Sequence, residues 1–212
     1  GNAVAGVGDV NGDGFDDFLV GAFGNDEAGT GAGQTYLVLG RASGWTLDAP
    51  LTDADASYLG EVANDLSGSA VAGAGDVDGD GFDDFLVGAF GNDQTGSYAG
   101  QTYLVFGQEL GWATDEALST AGASFLGEAA LDWAGWSLAG AGDLNADGTG
   151  EFIIGAVGND EADSGAGQSY LWLGTPPCVD QDGDGYGDPG VHTCPLGVAT
   201  DCDDLDASIH PG

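Results

Sequence analysis

Apolar residues along this chain come in short runs, each bounded by Gly and Asp, and the runs recur in a fixed order. A small-residue segment opens each set: AVAGVG from Ala3, AVAGAG from Ala70 and SLAGAG from Ser137. An acidic loop follows, and then an unbroken apolar run, FLVGAF at Phe18, FLVGAF at Phe85 and FIIGAV at Phe152. Continuous apolar runs of this length predict strands covered on both faces. A Gly-Asn-Asp turn leads to a third segment, QTYLVLG at Gln34, QTYLVFG at Gln101 and QSYLWLG at Gln168. The connector beyond it holds a fourth candidate strand, ASYLG at Ala56 and ASFLG at Ala123. No stretch carries the 3.6-residue apolar stripe of a long amphipathic helix.

The recurrence has a constant step. Asp9, Asp76 and Asp143 lie 67 residues apart, as do Tyr36, Tyr103 and Tyr170, while Trp45 and Trp112 keep the same interval. The copies run over 1–67, 68–134 and 135–174, and a different module follows at 175–212, after Pro176 and Pro177. Three or four short strands per repeat is the anatomy of a propeller blade. The expected fold is therefore all-β: three propeller-type blades of three to four antiparallel strands, plus a small loop-rich C-terminal module.

The acidic loops carry the candidate chemistry. Asp76, Asp78, Asp80 and Asp84 stand at positions 1, 3, 5 and 9, and Gly81 at position 6 supplies the turn. Oxygen donors at this spacing suit a hard cation such as Ca²⁺, with the Phe82 carbonyl as the backbone ligand between positions 5 and 9. The first copy offers Asp9, Asn11, Asp13, Phe15 and Asp17, and the third Asp143, Asn145, Asp147, Thr149 and Glu151. Position 3 changes between Asn and Asp and position 9 between Asp and Glu, so donor chemistry persists where identity does not. Position 8 is Asp16, Asp83 or Gly150, which argues against a ligand there. Position 12 is Val20, Val87 or Ile154, where a calcium-binding helix-loop-helix would place a bidentate Glu. One Asp/Gly-rich turn needs no metal to form. Three in phase that keep donors at four positions point to one.

Charge strengthens the point. The 36 acidic residues face a single basic one, Arg41, for a formal net charge of −35. A chain without Lys repels nucleic acid and anionic lipid, and bound divalent cations would relieve its self-repulsion. No apolar run approaches the ~18–20 residues that cross a bilayer as a helix. Cys178, Cys194 and Cys202 cluster in the last module, which reads as a disulfide in an oxidising, extracellular setting with one thiol left over. The chain is read as a mature or trimmed secreted segment.

The sequence of Gly-Asp-x-Asn/Asp-Gly-Asp-Gly-x-x-Asp loop, apolar strand with Gly-Ala, and Gly-x-x-Tyr strand resembles the FG-GAP repeat of integrin α-type β-propellers, over roughly residues 1–174. The resemblance implies Ca²⁺ ligation by the loop residues just named. Where the family's Gly-Ala is followed by Pro, this chain has Phe23, Phe90 or Val157. The integrin-type propeller closes with seven blades, so three leave two apolar ends to be covered. The tail resembles thrombospondin type 3 and bacterial Asp/Cys metal-binding repeats. It places Asp180, Asp182, Asp184, Tyr186 and Asp188 in a fourth loop, and Asp201, Asp203 and Asp206 around Cys202. That resemblance implies Ca²⁺ ligation there too, for about four or five ions in all, and a Cys194–Cys202 disulfide. Cys178–Cys194 is the competing pairing.

Catalysis finds little footing. His192 and His210 both lie in the tail, where solvated side chains explain them better than Zn²⁺ or Cu²⁺ ligands. Among the tryptophans, Trp45 and Trp112 are expected to pack between blades rather than to stack on sugar, and Trp172 to lie in the core. The expected function is a secreted, Ca²⁺-stabilised structural protein at the cell surface or beyond it. Copies of itself would assemble head to tail into a filament or surface layer. The alternative is a Ca²⁺-dependent adhesin or lectin-like module that binds surface proteins or glycans. Neither nucleic-acid binding nor membrane insertion is expected.

Overall fold

The computed structural model describes residues 1–174. The fourth acidic loop, Asp201, Asp203, Asp206 and the three cysteines lie outside the described residues.

Three antiparallel sheets form, one per repeat. Blade 1 pairs β1 (Ala3–Gly8), β2 (Asp17–Ala22), β3 (Gln34–Val38) and β4 (Ala56–Leu59) in sequence order. Blade 2 repeats this with β5 (Ala70–Gly75), β6 (Asp84–Ala89), β7 (Gln101–Val105) and β9 (Ala123–Leu126). Blade 3 has β10 (Ala134–Gly142), β11 (Glu151–Ala156) and β12 (Gln168–Trp172). The fourth strand expected from ASYLG and ASFLG is present in both blades. A further strand that the spacing did not predict, β8 (Glu116–Ala117), leaves the blade 2 connector and pairs parallel with β4, so the second repeat reaches back onto the first.

The blades stack through their first strands, and glycine permits the approach. A Cβ on Gly73 would meet the Val7 Cα at 3.0 Å, and one on Gly140 would meet the Gly73 carbonyl oxygen at 2.5 Å. Gly6, the equivalent residue of blade 1, faces open space. The core accordingly lies between sheets. Leu19, Leu37, Tyr58, Phe85 and Tyr103 fill the space between blades 1 and 2, and Leu86, Leu104, Phe152 and Ile154 that between blades 2 and 3.

Coverage of both faces, expected of every second strand, holds for β6, whose residues are all buried. Among the described residues, each of the two outer blades keeps one apolar face open. Phe18 is 36% exposed where Phe85 is 0%, and Leu171 is 52% exposed where Leu104 is 3%. Trp172, expected in the core, is half-exposed on the edge strand of blade 3 and packs against Phe125 with ring centroids 4.4 Å apart. No helix among the described residues is long and apolar enough to cross a membrane.

Gly140→Ala and Gly73→Ala should each cost about 1–3 kcal/mol by forcing the inner strands apart. Gly6→Ala should be neutral or gain up to about 1 kcal/mol, because its Cβ has room and the unfolded chain loses freedom. Thermal melts of the three variants check this, and equal losses would contradict the stacking.

Candidate metal loops

Each acidic loop is the hairpin connection between the first two strands of a blade. Position 9 is the first residue of the second strand and sits opposite a glycine, as in Asp17 with Gly8, Asp84 with Gly75 and Glu151 with Gly142. A register irregularity in the first strand just before that pair turns the chain out into the loop.

Within the loop the backbone wraps around its own carboxylates. Asp76 Oδ1 accepts from the Gly79 and Asp80 amides at 2.6 and 3.1 Å, and its Oδ2 from the Gly81 amide at 2.9 Å. Asp9 and Asp143 accept the same bonds from Asp13 and Gly14 and from Asp147 and Gly148. Asp78 Oδ1 then takes the Asp80 amide, and Asp80 Oδ1 the Phe82 amide. Such a closed turn needs positive φ at position 6, which Gly14, Gly81 and Gly148 adopt at 88°, 94° and 92°. At position 4 the third loop departs, since Ala146 takes φ 61° where Gly12 and Gly79 stand in the other copies.

Position 9 has a second task that spacing alone did not reveal. Asp84 is fully buried, and its two oxygens accept from the Val77 amide in the loop and from the Gly107 amide beyond β7, at 2.8 Å each. Asp17 likewise joins Val10 to Gly40. Glu151 accepts from the Leu144 amide through Oε2, while its Oε1 is buried without a hydrogen-bond partner. Burial pushes Asp84 up to about 7 against the two amides, which pull the other way. Asp17 is raised for the same reason. Asp78 is raised by burial and then by the charges of Asp80 and Asp76, while the Thr149 hydroxyl and amide lower exposed Asp147.

The donor set fits a hard divalent cation in two loops. Asp76, Asp78 and Asp84 bring carboxylate oxygens within 4.8 Å of one another, as do Asp143, Asp147 and Glu151. The unpartnered Glu151 oxygen and the raised Asp84 both mark carboxylates short of positive charge. Asp80 stays outside the middle group, and Asp9, Asp13 and Asp17 share the hydrogen-bond pattern without converging to the same limit.

Neighbouring loops also bond to each other. The Asp9 amide donates to Asp83 Oδ2 at 2.9 Å, and the Gly150 amide to the Asp76 carbonyl at 2.6 Å. Position 8, set aside as a ligand, is thus a joint between blades. The Gly-Asn-Asp turns make another joint: Asn92 Nδ2 reaches buried Asp65 at 3.3 Å, and Asn159 Nδ2 reaches buried Asp132 at 3.4 Å. Turn chemistry alone accounts for these asparagines in sequence, and the 67-residue step of Asp65 to Asp132 was the available signal for more.

The loops, strands and turns of the first two blades match the FG-GAP repeat family model. The match covers residues 1–38 and 67–105. Integrin alpha pat-2 of Caenorhabditis briggsae is 38% identical to this chain over 91 residues, 42% of this chain and 7% of the relative. Integrin alpha-5 of Xenopus laevis is 32% identical over 105 residues, 49% of this chain and 10% of the relative. The chain thus spans about a tenth or less of the integrin chains it matches. The FG-GAP stretches hold the acidic loops of blades 1 and 2 with all their position 1, 3, 5 and 9 residues.

Asp84→Ala should cost about 2–5 kcal/mol even in excess chelator, because it leaves the buried Val77 and Gly107 amides unpaired. Asp80→Ala, at an exposed site, should lose less than about 1 kcal/mol under the same conditions. Denaturant unfolding in EDTA separates the two.

Proposed function

We propose that this chain is a Ca²⁺-stabilised binding module of the FG-GAP, integrin α type, acting in adhesion or ligand binding at the cell surface or outside the cell. The observation that carries the reading is the convergence of three carboxylates in each of two in-phase hairpin loops. Supporting it are the match to FG-GAP repeats and the similarity to two integrin α chains. In this reading residues 1–174 are the blades, in the divisions 1–67, 68–134 and 135–174, and residues 175–212 form a separate metal-binding module.

Asp76, Asp78, Asp80 and Asp84 with the Phe82 carbonyl would hold one ion. Asp143, Asn145, Asp147 and Glu151 with the Thr149 carbonyl would hold a second, and Asp9, Asn11, Asp13 and Asp17 with the Phe15 carbonyl a third. A bound ion supplies fixed positive charge that neutralises the loop's carboxylates and keeps position 9 ionised. Asp84 in turn fixes the loop to the end of the third strand, so the loop holds its shape when the blade surface contacts a partner. The role is one of support rather than reaction, and we assign no catalytic residue.

The head-to-tail filament expected from the sequence draws no support from the integrin relatives. Its interface would also bring blade 3 against blade 1, and blade 3 has three strands among the described residues where the internal joints use four. We therefore adopt the binding-module reading.

Ca²⁺ at 100 times its dissociation constant should add about 2.7 kcal/mol per independent site. Excess EDTA should lower the melting temperature by many degrees, and Asp76→Asn with Asp143→Asn should remove most of the Ca²⁺ response. Melting curves that coincide with and without EDTA would end the proposal.

A further inference from the structure

Position 3 of the first acidic loop carries a reactivity that its counterparts lack. Asn11 is followed by Gly12, and this is the one Asn-Gly pair in the chain. The equivalents are Asp78-Gly79 in the second loop and Asn145-Ala146 in the third. Glycine is enforced after Asn11 from two sides. Gly12 holds φ 73°, and a Cβ on it would meet the Phe82 ring of the next loop at 2.7 Å. The joint between blades 1 and 2 thus fixes beside Asn11 a residue whose backbone nitrogen no side chain of its own shields.

That nitrogen is also uncommitted. In the second loop the Gly79 amide donates to Asp76 Oδ1 at 2.6 Å, whereas the Gly12 amide has no acceptor among the described residues. Gly12 is exposed and Asn11 half-buried, so water reaches both. The Asn11 side chain is held by its own loop: Oδ1 accepts from the Asp13 amide at 3.0 Å, and Nδ2 donates to Asp13 Oδ2 at 3.2 Å. Asn145 makes the same two bonds to Asp147, at 2.9 and 2.8 Å, and differs in being followed by Ala146. The third loop is therefore a control within the same molecule.

We propose that Asn11 is a site of spontaneous deamidation, which changes the position 3 donor of the first loop from an amide to a carboxylate. The Gly12 nitrogen gives up its proton and bonds to Asn11 Cγ. The Cγ–Nδ2 bond breaks, and Nδ2 leaves as ammonia with that proton. Water then opens the succinimide ring, its hydroxyl going to one ring carbonyl carbon and its proton to the nitrogen. Nothing is oxidised or reduced. Opening at Cγ restores the main chain with an aspartyl side chain. The first loop then has carboxylates at positions 1, 3 and 9, the set that converges in the second loop as Asp76, Asp78 and Asp84. Opening at the main-chain carbonyl instead routes the backbone through Cγ as an isoaspartyl link, which shifts Gly12 against Phe82 and loosens the joint. The reaction itself needs no metal. Its slowing by Ca²⁺ rests on the proposed function, since a side chain tied to an ion through Oδ1 turns less freely toward the Gly12 nitrogen.

The full chain is incubated at neutral and mildly alkaline pH, with Ca²⁺ and with EDTA, and its chymotryptic peptides are mapped by mass spectrometry. The amide-to-acid mass change should accumulate at Asn11 about tenfold or more faster than at Asn145. It should quicken as pH rises, because the attacking nitrogen must lose its proton. An isoaspartyl-specific methyltransferase should label the same peptide, and Asn11→Gln should abolish both signals. Asp-Gly pairs such as Asp13-Gly14 can close the same ring, but they release water and return the same mass, so the mass change is specific to asparagine. Asn11→Asp, the aspartyl product made directly, should bind Ca²⁺ about tenfold more tightly than the fresh chain, and an unchanged affinity would overturn the change of donor. Reaction at Asn11 that Ca²⁺ does not slow would support the site while counting against an ion in the first loop. The chelator melting curves test the metal reading separately. Equal rates at Asn11 and Asn145, or an unmodified Asn11 after long incubation in EDTA, would overturn the proposal.

Discussion

A buried carboxylate at the start of the second strand holds each blade of this protein to its loop. Asp84 has no exposed surface, yet both of its oxygens are engaged, one by the loop at Val77 and one by the chain leaving the third strand at Gly107. Removing a carboxylate from water is costly, and amide donors offset only part of that cost. Burial accordingly pushes Asp84 up to about 7, against the pull of the two amides. The same carboxylate lies in the group with Asp76 and Asp78, so the clamp that shapes the blade also faces the place where a cation would sit. Loop shape and strand packing are therefore coupled through one side chain, which is what a rigid, metal-dependent support requires.

Around that clamp the chain has few other means of balancing charge. Arg41 is its only basic residue, and it is committed to Asp55 at 2.8 Å while lying over the Trp45 ring. Carboxylates are instead satisfied by backbone amides, in the loops, in the turns at Asp26 and Asp93, and at Asp65 and Asp132 between blades. Amide donors hold a carboxylate in place without cancelling its charge. A chain of net charge −35 built this way repels itself, and bound cations would relieve that repulsion.

The second organising feature is that the second repeat is built to grip the first. Asp83 reaches the preceding loop, Asn92 the preceding connector, Asp115 the third and fourth strands of the preceding blade, Phe85 packs on the preceding Tyr58, and Gly73 lies against the preceding first strand. These contacts involve short polar side chains at fixed register, so they define an angle between blades as well as an attraction. The asymmetry of the joint explains why the two open faces differ. Among the described residues, blade 1 leaves Phe18 and Trp45 exposed and blade 3 leaves Ile153 and Leu171 exposed.

Much of this was legible in the residues themselves. A 67-residue step, apolar runs of strand length and Gly at the turn positions determined the number of blades, the strand order and the hairpin position of the acidic loops, because each depends on local backbone preference and on period. The donor positions of the loops were legible for the same reason. The double role of Asp84, the use of Asp83 and Asn92 as joints, the pairing of β8 with β4 and the half-exposure of Trp172 were not. Each depends on which residue a neighbouring repeat places opposite, and a repeat sequence states what a blade contains without stating what it meets. Local spacing sets the loop and the strand, whereas the burial of a carboxylate or an aromatic is decided only when a second blade removes the water from it.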